Sequence, residues 1–187
     1  ADLLVAIGGG SVVDATKAML LCLRHDLTTT AGMDPYRGGR QGDPSQWPAD
    51  AASRIRMLAV PTMFSAAEFT WYAGVTEPAR LVKESFANPL FVPQTVVLDP
   101  AATLATPLPL LQATGMKAVD HAVERLCALE APPLSDAAST SALKLLYTSL
   151  PKLGTDKDDL KLRMDCQFGM WLSIYGGTSG VPVGASH

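Results

Sequence analysis

The sequence predicts an α/β unit with a parallel sheet, followed by an all-helical unit. Three observations carry that reading. Residues 3–7 form a short apolar run that stops at Gly8-Gly9-Gly10-Ser11, and a helical stretch follows. Strand, glycine turn and helix make the step from which parallel sheets are built. Further strand-length apolar runs recur as far as residue 98, and beyond residue 105 apolar residues recur at i, i+3, i+4 and i+7 instead.

The composition is globular. The chain has 187 residues, a formal net charge of −3, 48% hydrophobic and 18% charged residues. A complete domain of that size buries roughly 70% of its unfolded surface and needs no disulfide staple. The basic footprint of a nucleic-acid binder is absent. The densest Lys/Arg region, residues 152–163, is neutralised by Asp156, Asp158, Asp159 and Asp165. Cys22, Cys127 and Cys166 are scattered and no CxxC occurs, so neither a zinc knuckle nor a disulfide framework is expected. That usage fits a reducing, cytoplasmic setting. No apolar run reaches transmembrane length, so no membrane role is expected. The chain starts at Ala1, directly in a strand, and stops at His187 without a polar tail. Both ends read as cut. The expected organisation is therefore part of an α/β domain over residues 1–105 and part of a helical domain over 106–187.

Each element has a local reason. Ser11 suits the N-cap of a helix over residues 12–23, with Asp14 three residues on to return to the cap N–H. Residues 28–50 hold many Gly and Pro and read as a long loop containing Trp47. Strands are expected at 56–60, 70–76 and 95–98, the last stopped by Asp99-Pro100. The first late helix carries a stripe at Val119, Ala122, Val123 and Leu126. Ser135 or Asp136 caps the next, with Ala138, Ala142, Leu145 and Leu146 as its stripe and Pro151 at its end. Met164, Phe168, Trp171, Leu172 and Tyr175 form a third stripe, stopped by Gly176-Gly177.

Two groups of residues carry chemistry. Glycines between a strand and a helix let a phosphate approach the backbone, and the helix N-terminus favours that anion. The same residues also describe an ordinary tight turn. The segment is not G-x-G-x-x-G, because Val13 occupies the last glycine position, and no P-loop lysine follows. Lys117, His121 and Glu124 lie at i, i+4 and i+7 and share a helix face, with Asp120 beside them. Such a face either lines a wet cleft or is simply solvated.

The segment GGGSVVDATKAM, residues 8–19, resembles the GGGS-x-x-D-x-x-K segment of the iron-dependent (group III) alcohol dehydrogenases. Further ordered matches follow. Residues 60–70, VPTMFSAAEFT, resemble the family's P-T-T loop with its later Glu and Thr. Leu98-Asp99-Pro100 with Thr103, Leu104 and Pro107 resembles its crossing between domains. Residues 113–124, ATGMKAVDHAVE, resemble A-T-G-M-D-A-x-x-H-A-x-E. Residues 184–187 resemble the start of a later metal-ligand histidine segment.

The resemblance implies a dehydroquinate synthase-like architecture, an α/β domain for NAD or NADP and a helical domain for a divalent metal, Fe or Zn. Hydride transfer to or from a small alcohol, aldehyde or keto acid takes place between them, in an enzyme able to form homo-oligomers. By motif position, Gly9, Gly10 and Ser11 lie by the pyrophosphate and Asp14 supports their turn. Thr62, Met63 and Ser65 line the nicotinamide side, Lys83 contacts ribose or phosphate, and Pro100 and Leu104 pack on the cofactor. His121 and His187 correspond to metal ligands. Lys117 stands where the family has its ligand Asp, and an ammonium cannot ligate. Maleylacetate reductases, which resemble the same family, also lack that Asp and act without metal. Lys117 can therefore replace the metal's charge near the substrate oxygen, with His121 or His187 relaying the proton. Three other readings stand beside this one: a maleylacetate reductase-like enzyme that reduces an enol-lactone-derived or keto acid without metal, a phosphate-eliminating cyclase of the dehydroquinate-synthase type, and an inactive fragment of a dehydrogenase.

Overall fold

The structure is a computed structural model and describes residues 2–37, 55–78, 80–178 and 180–181. Strand β1 (Leu3–Gly8) runs into helix α1 (Gly10–Arg24). Next come β2 (Arg56–Pro61), β3 (Tyr72–Glu77), β4 (Val82–Ala87) and the short β5 (Thr95–Val96). β1 and β5 both pair in parallel with β2, giving the order β1-β2-β5. β3 and β4 form a separate antiparallel hairpin, with Gly74 opposite Ser85.

Alternation along β1 and β2 decides where α1 lies. Ala6, Met57 and Ala59 point to one face and are buried with Val13 and Leu20 of α1. The opposite face of β1 presents Leu3, Val5 and Ile7 to the surface. A 3-10 turn over Pro100–Thr103, capped by Asp99 Oδ1 accepting from Ala101 N, leads into the helical part. There α2 (Leu108–Leu126), α3 (Pro133–Ser149) and α4 (Leu160–Thr178) pack together. Their core holds Leu111, Ala118, Leu146, Leu150 and Met170, joined by Phe64 and Ala66 from the loop after β2. That loop is embedded in the helical core, which fixes the helices against one end of the sheet.

Small residues permit the close packing. A Cβ on Gly115 would lie 2.6 Å from Leu150 Cδ1, and one on Gly169 2.7 Å from Leu146 Cγ.

Several expectations change. α1 begins at Gly10 with extended Gly9 as its cap, so Ser11 lies inside the first turn. α3 begins at Pro133, and Ser135 is a buried residue within it rather than a cap. β4 was not expected. In α2 the buried face is Leu111, Gly115, Ala118, His121, Ala122 and Arg125, while Val123 and Leu126 are exposed. α4 turns its face away from the expected stripe: Arg163, Cys166, Gln167, Gly169, Met170 and Ser173 are buried, and Phe168 and Trp171 are exposed. It continues through Gly176 and Gly177 to Thr178. The long loop contains a 3-10 turn over Thr30–Tyr36. Trp47 and His187 lie outside the described residues.

Candidate active site

Gly9 turns the chain from β1 into α1. Its carbonyl accepts from the N–H of Val12 at 3.0 Å and of Val13 at 3.1 Å. The amides of Gly10 and Ser11 belong to the first helical turn, whose N–H groups find no acceptor within the helix. With the helix dipole, they form a place for an anion.

The loop after β2 lies directly over this turn. A methyl group on Gly9 would overlap the Met63 thioether, and one on Gly10 would lie 3.1 Å from Ser65 Oγ. Thr62 N donates to Gly8 O at 3.1 Å. Thr62 O accepts from Thr106 Oγ1 at 2.7 Å. Gly9, Gly10, Ser11, Thr62, Met63 and Ser65 therefore come together, although more than fifty residues separate the two segments. Ala66 takes the left-handed conformation, φ 60°, so the loop reverses sharply below Ser65.

Asp14 does not return to the helix cap. Its Oδ2 accepts from Gly74 N of β3 at 3.1 Å. Burial raises its carboxyl above the usual range, opposed by the Gly74 hydrogen bond and by the charges of Lys17 and Lys83. Lys83, exposed on β4, lays its stem across Gly74, close enough to act on Asp14.

Sequence reasoning missed Lys17. It is completely buried, and its Nζ donates to Ala67 O at 2.6 Å, Thr70 O at 2.7 Å, Tyr72 O at 3.0 Å and Thr70 Oγ1 at 3.1 Å. Burial pulls its pKa down to about 8, against the pull of Asp14 and Glu68. Glu68 is also buried, and desolvation pushes its carboxyl up to about 7. The readable signal was a lysine in phase with Val13, Leu20 and Leu21 on the buried side of α1.

Pro100 and Leu104 lie at the crossing into the helical part, with Leu104 partly exposed. Arg163 of α4 anchors this segment from below. Its Nη1 donates to Thr103 O at 2.7 Å and Thr103 Oγ1 at 2.8 Å, and its Nε to Lys157 O at 2.7 Å.

α2 reaches the same loop. Phe64 N donates to Thr114 Oγ1 at 3.2 Å. Thr114, Lys117 and His121 fall within one narrow sector of the helix. The sequence-predicted pair is thus carried on the flank that meets the Met63–Ser65 loop. His121 is buried at 6% exposure, whereas the Lys117 side chain is 42% exposed and pairs with Asp120 Oδ2 at 2.7 Å. Among the described residues of this flank, Lys117 offers no lone pair to a divalent cation. An ammonium occupies the position one turn before His121 and holds the neighbouring carboxylate. Among the described residues, no three His, Cys, Asp or Glu side chains gather as a ligand set.

Comparison with known proteins gives the family. Residues 1–100 match the family described as iron-containing alcohol dehydrogenase, and residues 111–187 match the C-terminal part of the Fe-containing alcohol dehydrogenase family. A maleylacetate reductase from Sphingobium indicum is 34% identical over 181 residues, covering 96% of this chain and 42% of that protein. An NAD-dependent methanol dehydrogenase from Bacillus methanolicus is 30% identical over 173 residues, covering 92% and 42%. The chain thus spans about two-fifths of the length of these relatives. Among solved structures, a maleylacetate reductase from Rhizobium sp. superposes with TM-score 0.71 at 27% identity, over 98% of this chain and 43% of that one. A sulfoacetaldehyde reductase from Bifidobacterium kashiwanohense in complex with NAD+ shares the fold, with TM-score 0.81 at 24% identity over 99% and 46%. The parallel sheet followed by helices is the dehydroquinate synthase-like architecture expected from the sequence. With both parts of its length matched in order, the chain belongs to the iron-containing alcohol dehydrogenase family.

Proposed function

We propose that the protein is an NAD(P)-dependent oxidoreductase that moves a hydride between the nicotinamide ring and the carbon of a small alcohol, aldehyde or keto acid. The observation that carries this reading is the approach of Met63 and Ser65 to Gly9 and Gly10, with α2 tied to the same loop through Thr114 and Phe64. Two loops of the kind that hold a pyrophosphate and a nicotinamide converge on one spot, and α2 brings Lys117, His121 and Glu124, with Asp120 paired to Lys117, to that flank.

The roles follow from chemistry. The amides of Gly10 and Ser11 bind the pyrophosphate, with Gly9 leaving room for it. Thr62, Met63 and Ser65 line the nicotinamide, Lys83 offers a cation to ribose or phosphate, and Pro100 and Leu104 cover the cofactor from the crossing. In the reducing direction the hydride's electron pair goes to the carbonyl carbon, and the C=O π pair becomes a lone pair on oxygen. The Lys117 ammonium stabilises that developing charge. His121 or His187 delivers the proton.

One observation favours metal-independent chemistry within this family: Lys117, which stands at the motif position of the ligand Asp by resemblance, is an ammonium paired with Asp120. A cytoplasmic setting fits the free thiols of Cys22, Cys127 and Cys166, and a homo-oligomer fits the family.

The test is a nicotinamide assay on the full-length protein with a panel of small aldehydes and keto acids. The expected result is substrate-dependent oxidation of NADH or NADPH that survives chelation. Absence of nicotinamide binding overturns the reading.

A further inference from the structure

Helix α1 does more than present amides to an anion. Two turns below Gly10, the Lys17 ammonium is closed inside the protein at 0% exposure and bonded to three backbone carbonyls and one hydroxyl of residues 67–72. One turn above it, Asp14 holds the amide of Gly74. Both side chains of the GGGS-x-x-D-x-x-K pattern thus reach away from the glycine turn. They grip the chain immediately downstream of Met63 and Ser65. Thr70 Oγ1 also donates to Ala67 O at 2.9 Å, which closes the same knot.

We infer that Lys17 is a positioning residue for cofactor binding, which sets the gap between the glycine turn and the Met63–Ser65 loop without touching the cofactor. The geometry gives the reason. The 62–66 segment is held at its start by Thr62 N on Gly8 O and at Phe64 by Thr114. Its far end has Lys17 as a fixed point, because an ammonium can satisfy three carbonyls at once and no neutral side chain can. Ala66 turns left-handed between these supports, so a shift at residue 67 passes directly to Ser65. Loss of the ammonium therefore widens or shifts the gap in which the pyrophosphate and nicotinamide lie.

The inference rests on the nicotinamide reading, and the experiment separates the two. In the full-length protein, NADH and NADPH affinities are measured by fluorescence titration, together with kcat and both KM values, for wild type, Lys17→Met, Lys17→Arg, Thr70→Val and Leu20→Ala. Leu20 is buried against the sheet one turn further along α1, so its truncation reports on general destabilisation. Lys17→Met is expected to raise the cofactor Kd and KM by about tenfold or more, leaving the KM of the carbonyl substrate within about twofold. Lys17→Arg restores part of the affinity. Thr70→Val, which removes one acceptor with little change of shape, raises Kd by about threefold and keeps the test informative if Lys17→Met does not fold. Leu20→Ala lowers the melting temperature and leaves Kd unchanged. If wild type binds cofactor and Lys17→Met or Thr70→Val binds equally well, or Leu20→Ala weakens binding as much, the inference is overturned and the nicotinamide reading stands. If wild type binds neither cofactor, both fall.

Discussion

The Lys117 ammonium lies 2.7 Å from the Asp120 carboxylate, one turn along the same helix and on the flank that meets the Met63–Ser65 loop. The pair is partly exposed, so its worth to folding is only about 0–1 kcal/mol. In the proposed mechanism its place beside His121 gives it a different use. Lys117→Met is expected to lower kcat for carbonyl reduction by roughly 10²–10³-fold, the usual cost of losing one group that stabilises an oxyanion. Cofactor affinity and melting temperature stay near wild type. Steady-state kinetics with a calorimetric scan check both halves, and a loss confined to stability contradicts the assignment.

Gly9 is constrained by Met63 rather than by its own dihedrals. A methyl group there displaces the Met63 side chain, which is flexible at its far end. Gly9→Ala is therefore expected to cost less than about 2 kcal/mol of stability while raising the cofactor KM by about tenfold. Adding Met63→Ala to Gly9→Ala recovers part of the affinity. Isothermal titration of the three proteins decides the matter, because a plain loss of fold predicts no recovery.

The backbone plan was largely legible in the residues. An apolar run before three glycines, Pro61 after a second run, and apolar spacing after Pro107 placed β1, β2 and the late helices. The faces of α2 and α4 were harder to read. The expected stripe of α4 followed its largest apolar residues, but α4 packs so closely on α3 that Gly169 and Ser173 face inward and Phe168 and Trp171 face out. β4, Val-Lys-Glu-Ser-Phe-Ala, lacks alternation and is held by its pairing with β3. At the site, the glycine turn and the second loop could be matched by motif. The bonds from Asp14 to Gly74 and from Lys17 to residues 67–72 span fifty to sixty positions, and nothing local announces them.

Arg163 supports the crossing that carries Pro100 and Leu104. It is 2% exposed and serves carbonyls of both Thr103 and Lys157. Arg163→Leu leaves those acceptors without their donor and is expected to cost about 2–4 kcal/mol. Urea unfolding should show a lower midpoint with an unchanged slope. A variant as stable as wild type removes Arg163 from this role.

Glu68 and Lys17 make stability depend on pH in opposite windows. Burial raises the Glu68 carboxyl from 4.5 to about 7. The folded state therefore binds more protons across that range, and the Glu68 contribution falls as pH rises from 4.5 to 7. Burial lowers Lys17 from 10.5 to about 8, so its contribution improves as pH rises from 8 to 10.5. Glu68→Gln is expected to flatten the first decline. Denaturant midpoints of the two proteins between pH 4.5 and 7 should diverge as pH rises, with the variant the more stable at the upper end. Parallel curves contradict the buried, proton-holding carboxyl.

In the proposed mechanism the Lys117 charge acts at the position where the motif of the iron-dependent alcohol dehydrogenases has its ligand Asp. The most direct measurement is metal content and activity on one sample of purified full-length protein, before and after exhaustive chelation. The expected result is well under one equivalent of iron or zinc per chain, and NADH- or NADPH-linked carbonyl reduction unchanged by the chelator. One equivalent of either metal, with activity that disappears on chelation and returns on adding the metal back, contradicts it.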